Sequence, residues 1–339
     1  MDVVSDAISA VRVGRPSSNR VRVGGRWCVR FDPYDGAGFH VVLSGDCWLL
    51  PDDGEPVSLG TGDVVLLPHG TGHVIADAPA DAATLARAVP FDPAGDGSLP
   101  TLPHPHAPDR QVEMVCGKYR LDRSHAHPLL AELPPLVHLP DRAGGRPELR
   151  SALALLGGEL DARQPGASLA LPSLLDLLFV YMIRCWMAEG STGAWPAALG
   201  DPMTATALRA LHADPAAPWT VDRLAAEAGV SRPTLARRFT ALVGKPPMAY
   251  LTWWRLTRAA ALLRTTRDPL ATVARRVGYG SPYALSHAFR RAFGTTPGQY
   301  RAGREAPGGR APATPGEVLA DGSLPGFRAV SRPASASGS

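Results

Sequence analysis

Several things are scarce in this chain, and each scarcity removes a class of protein. Its 339 residues include four cysteines, at positions 28, 47, 116 and 185. They lie far apart with no paired zinc spacing, so reduced thiols are expected and not a disulfide framework. The amino terminus, MDVVSDAISAVRVGRP, carries acidic residues early and has no apolar centre, and so does not read as a signal peptide. Long hydrophobic runs are also missing. The most apolar stretch, Leu169 to Met187, is interrupted by Pro172, Asp176 and Arg184, which predicts a buried helix and no membrane span. Charged residues make up 19% and hydrophobic residues 45%, a balance that fits a soluble, cytoplasmic globular protein. The length allows two domains with separate cores.

The net charge of +4 hides an asymmetry. From Trp219 to Ala302 there are 14 Lys+Arg against 3 Asp+Glu, a net of +11, while the remainder of the chain is net −7. A basic segment joined to an acidic one points to a polyanion as the partner of one domain only.

Taken in order, residues 1–20 read as a loose lead-in. Residues 21–140 have the texture of short strands, such as VRVGGRWCVRF, FHVVLSGDCWLL and VCGKYRL, broken by Gly, Asp and Pro. Many short strands with tight turns predict a small antiparallel β-barrel or sandwich. Residues 92–109, DPAGDGSLPTLPHPHAPD, read as a mobile loop. Residues 141–195 are expected to hold a helical hairpin, with Leu174, Leu178 and Met182 at helical spacing. Such a hairpin could dimerise the chain or only pack on the barrel. Residues 190–200 read as a linker, residues 201–302 as an all-α domain, and residues 303–339, rich in Gly, Pro, Ala and Ser, as a disordered tail.

The all-α part contains one pattern twice. Leu224 to Tyr250 reads LAAEAG-V-SRPTLARRFTALVG-KPPMAY, and Val273 to Tyr300 reads VARRVG-YG-SPYALSHAFRRAFG-TTPGQY. Each copy predicts a short helix, a glycine turn and a second helix that starts at a capping serine, Ser231 or Ser281. Pro233 and Pro282 fall in the first turn, where no intrahelical N–H bond is lost. This is the helix-turn-helix arrangement, whose second helix enters the DNA major groove. The segment from Pro246 to Arg264 fits one long helix that would set the two readers about one DNA turn, roughly 34 Å, apart.

A helical wheel assigns the faces. In the first copy Leu235, Phe239 and Leu242 point inward, leaving Pro233, Ala236, Arg237 and Thr240 to face bases. In the second copy Leu285, Phe289 and Ala292 point inward, leaving Tyr283, Ser286, His287 and Arg290. Arg237 can donate two hydrogen bonds to a guanine. Arg232, Arg238, Arg275, Arg276 and Arg291 lie toward the rims, where phosphate contact is expected.

At this point the sequence resembles the AraC/XylS family of bacterial transcription regulators. The residues that carry the resemblance are Gly278, Tyr279, Ser281, Phe289, Phe293, Gly294, Pro297, Tyr300 and Arg301. His287 departs from the family pattern, in which Arg is common. The resemblance implies a regulator, often dimeric, that binds double-stranded promoter DNA, works with RNA polymerase, and responds to a signal in its N-terminal half.

That half holds further candidates. Gly62 to His73 reads G-x5-P-x-G-x2-H and resembles the second motif of cupin barrels, in which the closing histidine binds metal. Of the first motif only His40 is present, with Val42 where a second histidine should stand. His40 and His73 could therefore hold a metal, contact a small-molecule effector, or simply be satisfied histidines at a barrel mouth. Cys116 to Pro140 resembles the cupin-type sensor of one subgroup of AraC-like regulators. Cys116, with Cys47 or Cys28 as partner, could act as a redox switch, or could be a small buried hydrophobe. The expected class is thus α+β: a cupin-like barrel with a helical hairpin, then two helix-turn-helix units, in a transcription regulator controlled by a small molecule or by redox state. No cofactor is required by this reading. The alternatives are a metal-dependent cupin enzyme fused to a DNA-binding domain, and an architectural DNA-binding protein without a sensor.

Overall fold

The computed structural model describes residues 2–79, 81–86, 88–92, 111–122, 127–141, 146–162, 164–189 and 193–302. The loop expected at 92–109 and the tail expected at 303–339 lie, apart from residue 92, outside the described residues.

Helix α1 (Val3–Val11) is followed by strands β1 (Ser17–Gly24), β2 (Cys28–Phe31), β3 (Ala37–Ser44), β4 (Cys47–Pro51), β5 (Val57–Leu59), β6 (Val64–Leu67) and β7 (His73–Ala76). Next come α2 (Ala82–Ala86), β8 (Val89–Pro90), β9 (Gln111–Tyr119), α3 (Pro128–Ala131) and β10 (Val137–Leu139). The strands form two five-stranded sheets, in the orders β1-β9-β3-β6-β10 and β5-β4-β7-β2-β8. All pairings are antiparallel except β2 with β8. The barrel is therefore open, a cupin-like pair of sheets.

Period-two alternation explains the layers. Phe39, Val41, Val64, Leu66 and Val115 belong to a core shared with helices, whereas Val42, Val65, Leu67, Met114 and Cys116 fill the space between the sheets. Strand β6, VVLL, is buried on both faces, which is why it reads as an unbroken apolar run.

Helices α4 (Pro147–Ala162) and α5 (Ala167–Ala188) form the expected hairpin. They lie on the outer face of the first sheet, where Leu149, Leu156, Leu175, Leu178, Phe179, Met182 and Ile183 are buried. By length and composition α5 could cross a membrane. Its buried stripe on the sheet makes it a one-sided core helix, so the expected buried helix is buried on one side only. Leu155, Leu169 and Leu177 of the hairpin remain exposed.

The C-terminal half is helical: α6 (Ala194–Gly200), α7 (Pro202–Ala213), α8 (Val221–Glu227), α9 (Arg232–Val243), α10 (Pro247–Thr265), α11 (Leu270–Arg276), α12 (Pro282–Phe293) and α13 (Pro297–Ala302). It has two cores. Leu208, Leu211, Leu224, Leu235, Phe239, Tyr250, Leu251 and Trp254 build the first, and Leu256, Ala259, Leu263, Val273, Leu285 and Phe289 the second. Helix α10 serves both.

Two boundary expectations are corrected. Residues 1–20 are not a loose lead-in. Asp2 caps α1 by accepting from the Ser5 N–H at 2.9 Å, and Val3, Ala7 and Ala10 enter the first helical core. Of the linker expected at 190–200, residues 190–192 lie outside the described residues, and 194–200 form α6, which packs on α7 and α9 with Trp195 and Ala198 buried. Both segments are pulled into structure by apolar surface on the first helix-turn-helix unit.

Candidate nucleic-acid interface

The two helix-turn-helix units repeat in geometry as well as in sequence. Ser231 caps α9 by accepting from the Thr234 N–H at 3.4 Å, and Ser281 caps α12 by accepting from Ala284 at 3.2 Å. In the turns, the Val230 N–H donates to Ala225 O at 2.9 Å, and the Tyr279 N–H donates to Ala274 O at 2.8 Å.

The turn glycines differ in one respect. Both have positive φ, +66° at Gly229 and +83° at Gly278. A Cβ on Gly229 would meet nothing among the described residues within 4 Å. One on Gly278 would lie 2.8 Å from the Ala216 Cα and 2.9 Å from the Arg255 guanidinium. Arg255 in turn donates to Pro215 O at 2.7 Å and to Ala217 O at 2.9 Å. The second unit's turn thus rests on the loop between α7 and α8 of the first.

Leu235 and Phe239 of α9, and Leu285 and Phe289 of α12, are fully buried. One assignment of the wheel is corrected. Ala292 is exposed, and Phe293 takes the inward place, stacked on Phe289 with ring centroids 4.1 Å apart and edge-on to Tyr300 at 5.5 Å. Helix α13 covers that edge of the stripe, which the period of α12 alone does not reveal.

On the opposite faces Pro233, Arg237, Tyr283, His287 and Arg290 are exposed, Tyr283 by 89%. Among the described residues, the side chains of Arg237, Tyr283, His287 and Arg290 have no hydrogen-bond or ion-pair partner. Ala236, Thr240 and Ser286 are half-buried, and the Thr240 hydroxyl donates back to Ala236 O at 2.7 Å. The rim arginines divide. Arg275 and Arg291 are exposed. Arg232 meets Asp222 at 3.4 Å, Arg238 meets Asp201 at 3.1 Å, and Arg276 meets Asp268 at 2.7 Å. Of these three pairs Arg232–Asp222 is exposed on both sides, whereas Asp201 and Asp268 are partly buried.

In the sheet domain the structure brings His40 and His73 together. Their Nε2 atoms lie 2.8 Å apart, both side chains are buried, and Phe31 stacks on His73 with centroids 4.9 Å apart. The His73 Nδ1 donates to Thr71 O at 3.0 Å. Burial holds both imidazoles below their ordinary range, His73 at about 4. Two ring nitrogens at this distance share a hydrogen and leave no room for an ion between them. No cluster of three His, Cys, Asp or Glu occurs among the described residues. The pair therefore does not fit a catalytic metal, which needs at least three protein ligands.

The cysteines likewise lack what a redox switch needs. Cys28, Cys47 and Cys116 are buried and none is in a disulfide. Burial, then Cys47 nearby, pushes the Cys116 thiol well up, away from the reactive thiolate.

Sequence reasoning missed a set of polar contacts joining the two halves. Tyr250 and Tyr300, equivalent in the repeat, both take part. The Tyr250 hydroxyl lies 2.7 Å from His212 Nε2 and 3.1 Å from His127 Nε2. Tyr300 donates to Asp122 at 2.5 Å, as does Arg264, which also bonds Ala10 O of α1. The repeat marked both tyrosines, but their partners in the N-terminal half, His127 and Asp122, lie more than 100 residues away.

Comparison with known proteins follows the same division. Residues 2–188 match the family described as Cupin, and residues 224–303 match the one described as Helix-turn-helix domain. The chain is similar to a putative AraC-like transcription regulator of Streptomyces lividans, with 37% identity over 304 residues, 89% of this chain and 98% of that one. It is similar to the HTH-type transcriptional regulator AlkR of Acinetobacter baylyi, with 30% identity over 89% of this chain and 99% of that one. Among solved structures it is similar to the DNA-binding domain of AdpA in complex with a target DNA. There the identity is 39%, over 30% of this chain and 91% of that one, with a TM-score of 0.29.

Proposed function

Because this chain belongs to the AraC-like family of transcription regulators, we propose that it reads a promoter with both helix-turn-helix units and answers a signal received in its cupin-like half. One observation carries the reading: two capped helices, α9 and α12, expose Arg237, Tyr283, His287 and Arg290, whose side chains have no partner among the described residues. Arg237 reads a guanine in one major-groove segment. Tyr283, Ser286, His287 and Arg290 read the next. Pro233, Ala236 and Thr240 set how closely α9 approaches. Arg275 and Arg291 hold phosphates, joined by Arg232, Arg238 and Arg276 once these leave their carboxylates.

The protein is a cytoplasmic regulator and not an enzyme. It works as a homodimer, for which the exposed Leu155, Leu169 and Leu177 of the α4–α5 hairpin supply an apolar surface. Bound at a promoter, it acts on RNA polymerase. A small-molecule effector would enter the cupin-like half by parting the packed side chains of Val21, Trp27, Phe31, Ile75, Phe91 and Met114, which leave no open space between them. The effector acts by binding one arrangement of the two halves better than another.

Promoter footprinting with purified protein tests this. Two protected major-groove segments per chain, about one DNA turn apart, are expected. Binding without sequence preference would overturn it. Repeating the footprint with oxidant and with chelator separates thiol and metal signals from an organic effector.

A further inference from the structure

The contact between the sensor half and the first helix-turn-helix unit is a chain of four buried polar groups. His127 is the residue before α3, Tyr250 is on α10, His212 is on α7, and Asp6 is on α1. All four are buried, the two histidines completely. The distances are 3.1 Å from His127 Nε2 to the Tyr250 hydroxyl, 2.7 Å from that hydroxyl to His212 Nε2, and 3.1 Å from His212 Nδ1 to Asp6 Oδ2.

One hydrogen position fixes the others. The Leu129 N–H donates to His127 Nδ1 at 3.1 Å, so that nitrogen carries a lone pair. His127 Nε2 then bears the hydrogen and donates to the Tyr250 oxygen. The Tyr250 hydroxyl donates to His212 Nε2, and the His212 Nδ1–H donates to the Asp6 carboxylate. Every link is satisfied with both imidazoles neutral.

A further proton has no place at His127. On Nδ1 it would face the Leu129 N–H, setting donor against donor. Among the described residues, the other rings against it, besides His212 and Tyr250, are Trp195, Trp253 and Trp254, with centroids at 4.8, 5.3 and 6.1 Å. The charged groups of the cluster sit elsewhere. Asp6 and Asp2 on α1 and Arg258 on α10 act on His212, with Arg258 3.8 Å from Asp6. Glu132, after α3, is held by the Trp195 N–H at 3.0 Å. Among the described residues, His212 faces a carboxylate, although burial still holds its imidazole below its ordinary range, and His127 faces none.

We propose that this chain of groups is a proton-sensitive latch, which holds the first helix-turn-helix unit against the sensor half and opens when His127 takes up a proton. Burial, then neighbouring His212, holds the His127 imidazole well below its ordinary range, in keeping with the geometry. The sign follows from linkage. The open form takes up protons near the usual histidine value of about 6.5, and the closed form does not. The latch is fully closed above that pH and weakens as pH falls below it. The second contact, Tyr300 with Asp122 and Arg264, contains no histidine, so acid loosens the first unit and spares the second. This inference does not depend on which residues read bases.

The test is amide hydrogen exchange on the full-length protein at pH 7.5 and 5.5, corrected for the chemical exchange rate. Exchange in α7 is expected to rise about tenfold at pH 5.5, the effect of one proton over one pH unit below 6.5. Exchange in α13 is expected to stay level. In His127→Gln, which keeps a neutral polar side chain, the rise in α7 should shrink to the part that His212 carries. If that variant does not fold, imidazole nitrogen spectra of the wild-type protein decide. They should show His127 with its hydrogen on Nε2 and His212 with its hydrogen on Nδ1 at pH 7.5. The opposite tautomers, an α7 exchange rate independent of pH, or a His127→Gln variant as pH-sensitive as wild type would each overturn the latch.

Discussion

Tyr250 and Tyr300 hold the same place in the two repeats, and each hydroxyl bonds a group from the sensor half: His127 at 3.1 Å and Asp122 at 2.5 Å. The shared place does not give them the same strength. Asp122 is a carboxylate, and hydrogen bonds to charged groups contribute about 1.5–3 kcal/mol. Tyr300→Phe is therefore expected to cost about that much in urea unfolding of the whole chain, with Arg264 still bound to Asp122. A loss below about 0.5 kcal/mol would show that this contact does not join the halves.

The turn glycines give a paired prediction. Gly229→Ala meets only the penalty of a positive φ, about 1 kcal/mol. Gly278→Ala meets that penalty and also the Ala216 backbone, so it should cost at least 1 kcal/mol more. It should also weaken DNA binding by displacing the second unit from the first. Thermal unfolding together with promoter binding distinguishes the two, and equal effects would contradict the close approach.

On the reading faces, Arg237→Ala is expected to cost about 1–3 kcal/mol of specific binding and to relax selectivity at one base. Arg276→Ala should weaken all sequences alike, and mildly, because Arg276 already has Asp268 at 2.7 Å. Binding to a panel of single-base operator variants reads both. Unchanged selectivity in Arg237→Ala would refute the face assignment.

The His40–His73 pair makes stability depend on pH. The unfolded chain takes up protons near 6.5, whereas burial holds His73 at about 4 and His40 also well below its usual value. The stability carried by this difference is complete above pH 6.5 and is lost as pH falls toward 4. Urea midpoints at pH 7.5, 6 and 5 should fall accordingly, and less steeply in a His40→Leu/His73→Phe double variant. A chelator should leave the midpoint at pH 7.5 unchanged, and a drop would revive a metal at this pair.

How much of this was legible in the sequence depended on distance along the chain. Caps at Ser231 and Ser281, the buried Leu235 and Phe239, and the exposed Arg237 and Tyr283 all follow from local period and could be read directly. Ala292 was misplaced because α13, not α12, decides which edge of the stripe is covered. Helix α1 carried a signal that went unread: Asp2 caps it, and Val3, Ala7, Ile8 and Val11 recur at helical spacing. The pairings of His40 with His73 and of Asp6 with His212 join residues 33 and 206 positions apart. No periodicity connects such residues. Only the folded sheet and the packed helices do.

Helix α10 has a consequence for how such a regulator can diverge. Nineteen residues, from Pro247 to Thr265, span about 28 Å, with one end in each core. Inserting a single residue would turn the second reader by about 100° relative to the first and carry it off its groove. Under the proposed readout, drift in a promoter's bases would be answered by substitutions at Arg237 or His287, one position at a time. Drift in the distance between its half-sites would have no such gradual answer, because the length of this helix sets the distance and the rotation together.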